Sequence, residues 1–337
     1  MGVRSRLWRE GRLVETDFPL EDLDVHLSTP GELVWLDVCM AGGAHADLLE
    51  ELADELQLDR HAVEDAVAPG ERPKATRHEK HLFVSVYATR IAPRTTIGHE
   101  RHDSRLESSR ISAFVLRQGL VTVRRDDRFD MDQVTRRWDE DPELLQAGVG
   151  ALLHGLLDVV VDGHFETIQH LDDSIEELED LLFAENAQPQ FVQRDSYRLR
   201  KELVELRRVV LPMREVVNAV MRPNERLMDR RGPLDGYFED LYDHVLRAAE
   251  WTESLRDMVG SIFETNLSLQ DARLNTVMKK LAGWAAVIAV PTAVTGWFGQ
   301  NVPYPGFQTT LGLVQSVVAM VIGTVGLYVL FRKKDWI

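Results

Sequence analysis

The sequence predicts an α+β domain, then a long stalk helix and two C-terminal membrane-spanning helices. Charged residues make up 28% of the 337 residues, yet none occurs in the 51 positions from Leu281 to Phe331. Strand-like segments lie before about residue 140, and from Pro142 onward the apolar residues recur at helical spacing. We therefore expect an α/β domain (1–140), a helical segment (141–233), a stalk helix that continues into the first span (234–300), a loop (301–310), a second span (311–331) and a basic tail (332–337).

Composition excludes several classes of protein. The net charge is −16, so the basic surface that nucleic-acid binding requires is missing, and we expect no nucleic-acid partner. Cys39 is the single cysteine, which excludes an intramolecular disulfide and a cysteine-based zinc site; we expect it to be a small buried hydrophobe near a strand end. The N-terminal residues lack an apolar signal core. No Walker, dinucleotide or Gly-x-Ser-x-Gly pattern supports the rival class of a membrane-tethered enzyme.

The first domain is expected to be an α/β/α sandwich. Apolar runs predict strands, and two of them flank a Gly-containing turn that is typical of a hairpin. The predicted strands are Leu33–Val38, Leu82–Thr89, Ile111–Leu116 and Leu120–Arg124. The predicted helices are His45–Leu58 and His61–Ala68, and a charged linker is expected over Ile97–Arg110.

Three long helical segments follow. Glu143–Glu185 contains the acidic run 172–180, which we interpret as a solvated helix face, and Gln190–Met221 forms the second helix. Breaks are expected around Arg222–Asn224 and Arg231–Pro233. The third helix begins near Leu234 and shows no stop signal before Phe298, which at 1.5 Å per residue gives about 100 Å.

Two apolar segments are long enough to span a bilayer. Leu281–Phe298 has 18 residues and Leu311–Phe331 has 21, and the turn-rich loop between them contains Pro303 and Pro305. Lysine and arginine flank the outer ends of both segments, whereas the loop is uncharged. The positive-inside rule therefore places both termini in the cytoplasm of a cell (inner) membrane protein.

One helix face that leads into the first span carries residues at alternating spacings of three and four, and every one of them from Ala282 on is small. We call this face the stripe; it consists of Asn275, Met278, Ala282, Ala285, Ala289, Thr292, Gly296 and Gly299. Close packing of helices through small residues, which is common in membranes, is the alternative to a pore wall. Because two spans cannot enclose a path by themselves, a pore would need several copies of the chain. Asn301 would then form an amide ring that suits a hydrated Mg²⁺ ion, although a turn asparagine is the alternative.

At these residues the chain resembles the CorA-type magnesium transporter family. Phe298–Asn301 is similar to the aromatic and Gly-Met-Asn signature at the end of the first span, and Asn275–Leu281 resembles the Asn-x-x-Met-Lys-x-Leu entry to the pore. Further similar segments are Asp240–Val245, Val209–Val217, Glu64–Asp65 and Arg72–Lys74.

The resemblance implies a funnel-shaped homopentamer in a lipid bilayer, with divalent cations as its other partners and Mg²⁺ as both substrate and regulatory ligand; no cofactor is implied. It implies a selectivity filter of Gly299, Gln300 and Asn301. It implies regulatory metal binding at Asp240 and Glu264, and a basic collar at Lys333 and Lys334. The implied pore-lining residues are Asn275, Met278, Leu281, Ala285, Ala289 and Thr292.

Two departures leave the choice of ion open. Gln300 stands where the signature has Met, and the loop Val302–Thr310 lacks the acidic residue that is common after it. A Zn²⁺ transporter of the same superfamily and a non-conducting membrane-anchored metal sensor are therefore the alternatives to Mg²⁺ or Co²⁺ transport. The pairs His78/His81 and His99/His102 have ligand-like spacing, but we interpret them as solvated surface histidines.

Overall fold

A computed structural model describes residues 2–43, 45–93, 105–184, 189–222 and 233–337. These residues form two compact units, Met1–Ile262 and Phe263–Ile337. The strands are β1 (Val3–Arg9), β2 (Arg12–Thr16), β3 (Glu32–Cys39), β4 (Lys74–Arg77), β5 (Leu82–Ile91), β6 (Leu106–Val115) and β7 (Gly119–Arg124). The helices are α1 (Leu23–Ser28), α2 (Ala46–Glu55), α3 (Arg60–Val67), α4 (Met131–Glu140), α5 (Pro142–Leu145), α6 (Val149–Phe183), α7 (Pro189–Val210), α8 (Met213–Met221), α9 (Leu234–Phe298) and α10 (Thr310–Lys333).

The first unit is built on one seven-stranded sheet with the order β2-β1-β3-β7-β6-β5-β4. β3 and β7 pair in parallel, and the other neighbours are antiparallel. Between β3 and β4 the chain crosses to the far edge of the sheet. From there β4, β5, β6 and β7 run antiparallel to one another back toward β3, and β7 reaches β3 in the parallel direction. The predicted hairpin of β6 and β7 is confirmed.

Both faces of the sheet are covered by helices, which confirms the predicted α/β/α sandwich. Side chains alternate along β3: Trp35 joins the core beneath α4, α6 and α8, whereas Val34 and Leu36 join the core beneath α1, α2 and α3. This alternation is the period of two that a strand buried on both faces must show. Cys39 is buried at the end of β3, as predicted.

Two predicted helices are broken in the structure. The segment predicted as Glu143–Glu185 divides into α5 and α6 at Gly148, whose φ of 83° suits glycine and not an L side chain. The segment predicted as Gln190–Met221 divides into α7 and α8 before Pro212, which has no N–H to donate to the preceding turn.

The predicted charged linker is wrong over its last residues, because β6 begins at Leu106. Pairing with β5 outweighs the local polarity there. Residues 97–104 of that linker, with His99 and His102, lie outside the described residues, as do most residues of the predicted breaks near 223 and 232. The acidic run 172–180 does lie on an exposed face: Asp173, Glu176 and Glu177 are all exposed.

The interpretation of His81 as a solvated histidine is wrong. Its side chain is 1% exposed and stacks on His78, with ring centroids 4.7 Å apart. Neither ring nitrogen of His81 hydrogen-bonds to a described residue. Burial, followed by the neighbouring His78 charge, lowers the pKa of His81 to about 4. His164, buried beneath β5, has its pKa lowered to about 4 by burial as well, while its Nε2 lies 2.7 Å from the Tyr87 carbonyl oxygen.

Because these histidines are buried, we expect the folded protein to lose stability on acidification. Because the folded pKa of His81 lies below the ordinary value of 6.5, the unfolded state binds protons first as the pH falls. Between about pH 7 and about pH 5 the free energy of unfolding should fall by about 2 kcal/mol through His81 alone. Unfolding of the detergent-solubilised chain, followed at both pH values, measures this. His81→Phe should reduce the pH dependence, and His170→Gln at an exposed position of α6 should leave it unchanged; equal pH dependence in all three proteins would contradict the assignment.

Candidate ion-conducting site

The second unit contains the two apolar helical segments, and little of their surface is buried. α9 and α10 are each long and apolar enough to cross a membrane, which confirms the two predicted spans on length and composition. Of the most apolar 18 residues, 11% are buried in α9 and none in α10. Ile288 and Ile322 are each more than 60% exposed. A core helix of a soluble protein would hide such side chains, so lipid or further copies of the chain must cover these.

α10 packs on one face of α9. A Cβ atom at Gly323 of α10 would stand 2.8 Å from a Val290 methyl group, so the glycine allows the close approach of the helices. Nearer the N-terminal end of the first span, the rings of Trp284 and Tyr328 lie 6.3 Å apart. Val287, on the same face as Val290, is 7% exposed. This contact face is therefore occupied within the single chain.

The stripe lies on the other side of α9. At 3.6 residues per turn, Ala285 and Ala289 lie roughly opposite Val287 and Val290. All the stripe residues are exposed in the single chain, as is Leu281. Packing between α9 and α10 therefore does not account for the small residues of the stripe.

Thr292 supplies a hydrogen-bond acceptor on the stripe. Its hydroxyl donates to the Ile288 carbonyl oxygen at 3.3 Å, and the Thr295 hydroxyl donates to the Pro291 carbonyl oxygen at 2.9 Å. A hydroxyl whose proton is bound to the backbone keeps lone pairs that accept hydrogen bonds from water. The Thr292 hydroxyl can thus accept hydrogen bonds from the water shell of a cation.

α9 ends in a tight turn at the residues predicted to form the filter. The Gly299 N–H donates to the Thr295 carbonyl oxygen at 2.8 Å, and a Cβ at position 299 would stand 2.9 Å from that oxygen. The position therefore suits glycine. Gln300 and Asn301 follow it and are exposed.

Aromatic contacts tie the loop to the end of α9. The Tyr304 hydroxyl donates to the Phe298 carbonyl oxygen at 3.3 Å, and its ring packs edge-on against Phe298 and Phe307 at 5.2 and 5.4 Å. These contacts leave Gln300 and Asn301, between Phe298 and Tyr304, exposed.

The predicted regulatory carboxylates are exposed and distant from each other along α9. Asp240 has a side-chain exposure of 72% and an oxygen 3.9 Å from His244 Nδ1, and Glu264 is exposed 24 positions later. Among the described residues, no three or more His, Cys, Asp or Glu side chains form a group that could hold a metal. Each carboxylate would therefore need further ligands from water or another copy. Lys333 and Lys334 are exposed at the end of α10.

A family model described as CorA-like Mg²⁺ transporter protein matches residues 30–333 of the chain. The chain belongs to this family. It is therefore a membrane transport protein and not an enzyme.

Individual proteins and solved structures are similar over most of the chain. The cobalt/magnesium transport protein CorA of Thermotoga maritima is 27% identical over 326 residues, which cover 96% of this chain and 87% of that protein. The structure of the complete CorA magnesium transporter from Methanocaldococcus jannaschii has a TM-score of 0.76 at 20% identity and covers 100% of this chain and 99% of its own. The cytoplasmic domain of ZntB from Vibrio parahaemolyticus has a TM-score of 0.58 at 13% identity, covering 81% of this chain and 100% of that one.

Sequence reasoning missed three features of this region. Gly283 allows the close approach of Ile337 and Gly323 that of Val290, but the spacing of these two glycines does not distinguish them from the glycines of the stripe. Tyr304 packs against both α9 and its own loop, which depends on a turn that the loop sequence does not specify. The aromatic residues Phe298, Tyr304 and Phe307 in a short Pro/Gly-rich loop were the available signal.

Proposed function

We propose that five copies of this CorA-family chain assemble around their α9 helices and conduct divalent cations, with Mg²⁺ as the first candidate ion and Co²⁺ as the second. The observation that carries the proposal is the stripe, which is exposed in one chain and ends at Gly299, two positions before Asn301. Copies arranged around a central axis, each with its stripe facing that axis, would enclose a water-filled path without displacing α10. The relatives from Thermotoga maritima and Methanocaldococcus jannaschii are named as cobalt/magnesium transport proteins, which supports the choice of ion. The family resemblance supports the number of copies.

The proposed filter binds the ion through its water shell. Magnesium gives up its waters reluctantly, so a ring of Asn301 amide oxygens with Gln300 and the Gly299 backbone would hold hydrated Mg²⁺ by hydrogen bonds. Thr292 and Asn275 would offer further oxygen rings along the path. Met278 and Leu281, which are 56% and 64% exposed in one chain, would form an apolar constriction at the cytoplasmic end, where dewetting can close the path.

The membrane potential would drive the ion inward. Moving one charge across 100 mV is worth about 2.3 kcal/mol, so a dication gains about 4.6 kcal/mol per 100 mV when the cytoplasm is negative. No nucleotide hydrolysis is needed for entry at that driving force. We place the first unit and both termini in the cytoplasm of a cell (inner) membrane, with Lys333 and Lys334 as a basic collar around the inner mouth.

Cytoplasmic Mg²⁺ would close the path through Asp240 and Glu264. Exposed carboxylates on neighbouring copies repel one another when no ion is bound, and a bridging Mg²⁺ removes that repulsion. Binding would favour the state in which the copies are held together symmetrically, and a falling Mg²⁺ concentration would favour opening.

Gln300 favours a second candidate function, transport of Zn²⁺ by the same pore. It replaces the Met of the family signature, and the following loop lacks an acidic residue. Flux of Mg²⁺, Co²⁺ and Zn²⁺ in the same liposomes, with and without an imposed proton gradient, decides between the two. Proton-dependent Zn²⁺ flux without Mg²⁺ flux would favour the second.

Asn301→Ala should greatly reduce conduction without loss of assembly. Losing a hydrogen bond to a charged or hydrated ion costs about 1.5–3 kcal/mol, so uptake of Mg²⁺ into liposomes should fall about tenfold or more. Thr310→Ala, also exposed at the end of the same loop, is the matched control and should conduct normally. Normal uptake by a folded, oligomeric Asn301→Ala protein would reject the filter and leave the non-conducting sensor as the better account.

Neutralising Asp240 and Glu264 together should weaken inhibition by cytoplasmic Mg²⁺. A coupling free energy of 1–3 kcal/mol predicts a rise of about tenfold in the inhibitory Mg²⁺ concentration for Asp240→Asn with Glu264→Gln. Asp257→Asn is the matched control, since Asp257 is also exposed on α9. Flux measured against internal Mg²⁺ tests this, and an unchanged inhibition curve in the double variant would exclude these two residues.

A further inference from the structure

After α10 the chain turns back on itself. Asp335 has a φ of 55°, in the left-handed region, and reverses the direction of the backbone. The Trp336 N–H donates to the Phe331 carbonyl oxygen at 2.9 Å, and the Trp336 ring stacks on the Phe331 ring with centroids 5.5 Å apart and planes 5° apart. Residues 335–337, which we call the return segment, are thus fixed against the helix that they follow.

The return segment reaches α9 at Gly283. A Cβ atom on Gly283 would stand 3.0 Å from Ile337 Cγ1, 3.3 Å from Ile337 Cδ1 and 3.5 Å from the Trp336 carbonyl oxygen. Gly283 is buried, although its neighbours Ala282 and Trp284 are exposed. Ile337 fills the space that a side chain at position 283 would occupy.

We propose that the return segment is a clamp that positions the cytoplasmic end of α9 against α10, with Ile337 and Gly283 as its two positioning residues. The proposal rests on the proposed function in one respect: Leu281 and Met278, two and five positions from Gly283, are the residues assigned to the constriction. Because Ile337 is tied to α10 through Trp336 and Phe331, a shift of α9 along α10 at this level must separate Ile337 from Gly283. The clamp therefore couples the position of the constriction to the end of the second span.

Two substitutions that change the volume at the contact of Gly283 with Ile337 in opposite directions should compensate for each other. Gly283→Val adds three heavy atoms where Ile337 lies, and Ile337→Ala removes three. The single change at Gly283 should expel the return segment, and the double variant should restore room for it. Gly326→Val on α10 is the matched control, because a Cβ at Gly326 would meet no atom within 4 Å.

Thiol labelling tests the contact without requiring conduction. With Cys39→Ser removing the native thiol, Ile337→Cys should react with a water-soluble maleimide about tenfold more slowly than Asp335→Cys, which is exposed in the same return segment. Adding Gly283→Val should bring the two rates within about twofold, while adding Gly326→Val should not. Equal rates at positions 335 and 337 before Gly283 is changed would overturn the clamp, as would the absence of any effect of Gly283→Val.

Cation flux tests the consequence for the constriction. Gly283→Val should change the uptake rate about fivefold or more, and Gly283→Val with Ile337→Ala should return to within about twofold of Ile337→Ala alone. If the effects of Gly283→Val and Ile337→Ala on the uptake rate are independent and multiply in the double variant, the positioning role is overturned, even where labelling shows the contact. If the unaltered chain conducts nothing, the proposed function fails, and the labelling result still decides whether the return segment binds Gly283.

Discussion

Two membrane helices per chain leave one face of the first helix without a partner, and the proposed assembly and conduction depend on this constraint. α10 occupies the side of α9 that carries Val287 and Val290, and the side that carries Ala285 and Ala289 remains exposed. In hydrocarbon no hydrophobic force draws helices together, so small residues matter because they let backbones approach. A face of small residues with Thr292 among them is poorly suited to lipid tails and well suited to other copies of itself around water.

The first unit satisfies a different constraint, since it buries its own core. A seven-stranded sheet covered by helices on both faces hides its large side chains, and Asp37 and Arg124 pair within it at 2.6 Å. Buried neutral histidines such as His81 and His164 belong to this unit and bear on its stability and not on conduction. The proposed regulation requires exposed carboxylates of this unit, of which Asp240 is one, and in the described part of a single chain no three or more His, Cys, Asp or Glu side chains form a group that could hold a metal.

The sequence predicts well wherever one physical effect dominates. Fifty-one uncharged residues admit few interpretations, and α9 and α10 begin and end close to the predicted positions. The strands that are buried on both faces, such as β3, were predictable from their apolar runs. Local signals failed where tertiary pairing decides: the start of β6 looked like a charged linker, and the breaks at Gly148 and Pro212 were hidden within strong helical periodicity. Within the site, Gly299 and Asn301 were identified from their motif, whereas the roles of Gly283 and Tyr304 depend on contacts across the fold.

Conduction along α9 requires the stripe to face water in the assembled protein. Single cysteines along α9, introduced with Cys39→Ser and reacted with a small water-soluble thiol reagent in the membrane, measure this directly. We expect fast labelling at positions 285, 289 and 292, slow labelling at positions 287 and 290, and protection of the stripe by a high concentration of the conducted ion. Equal labelling on both sides of α9, or labelling confined to the face that packs against α10, would exclude a water-filled path along the stripe.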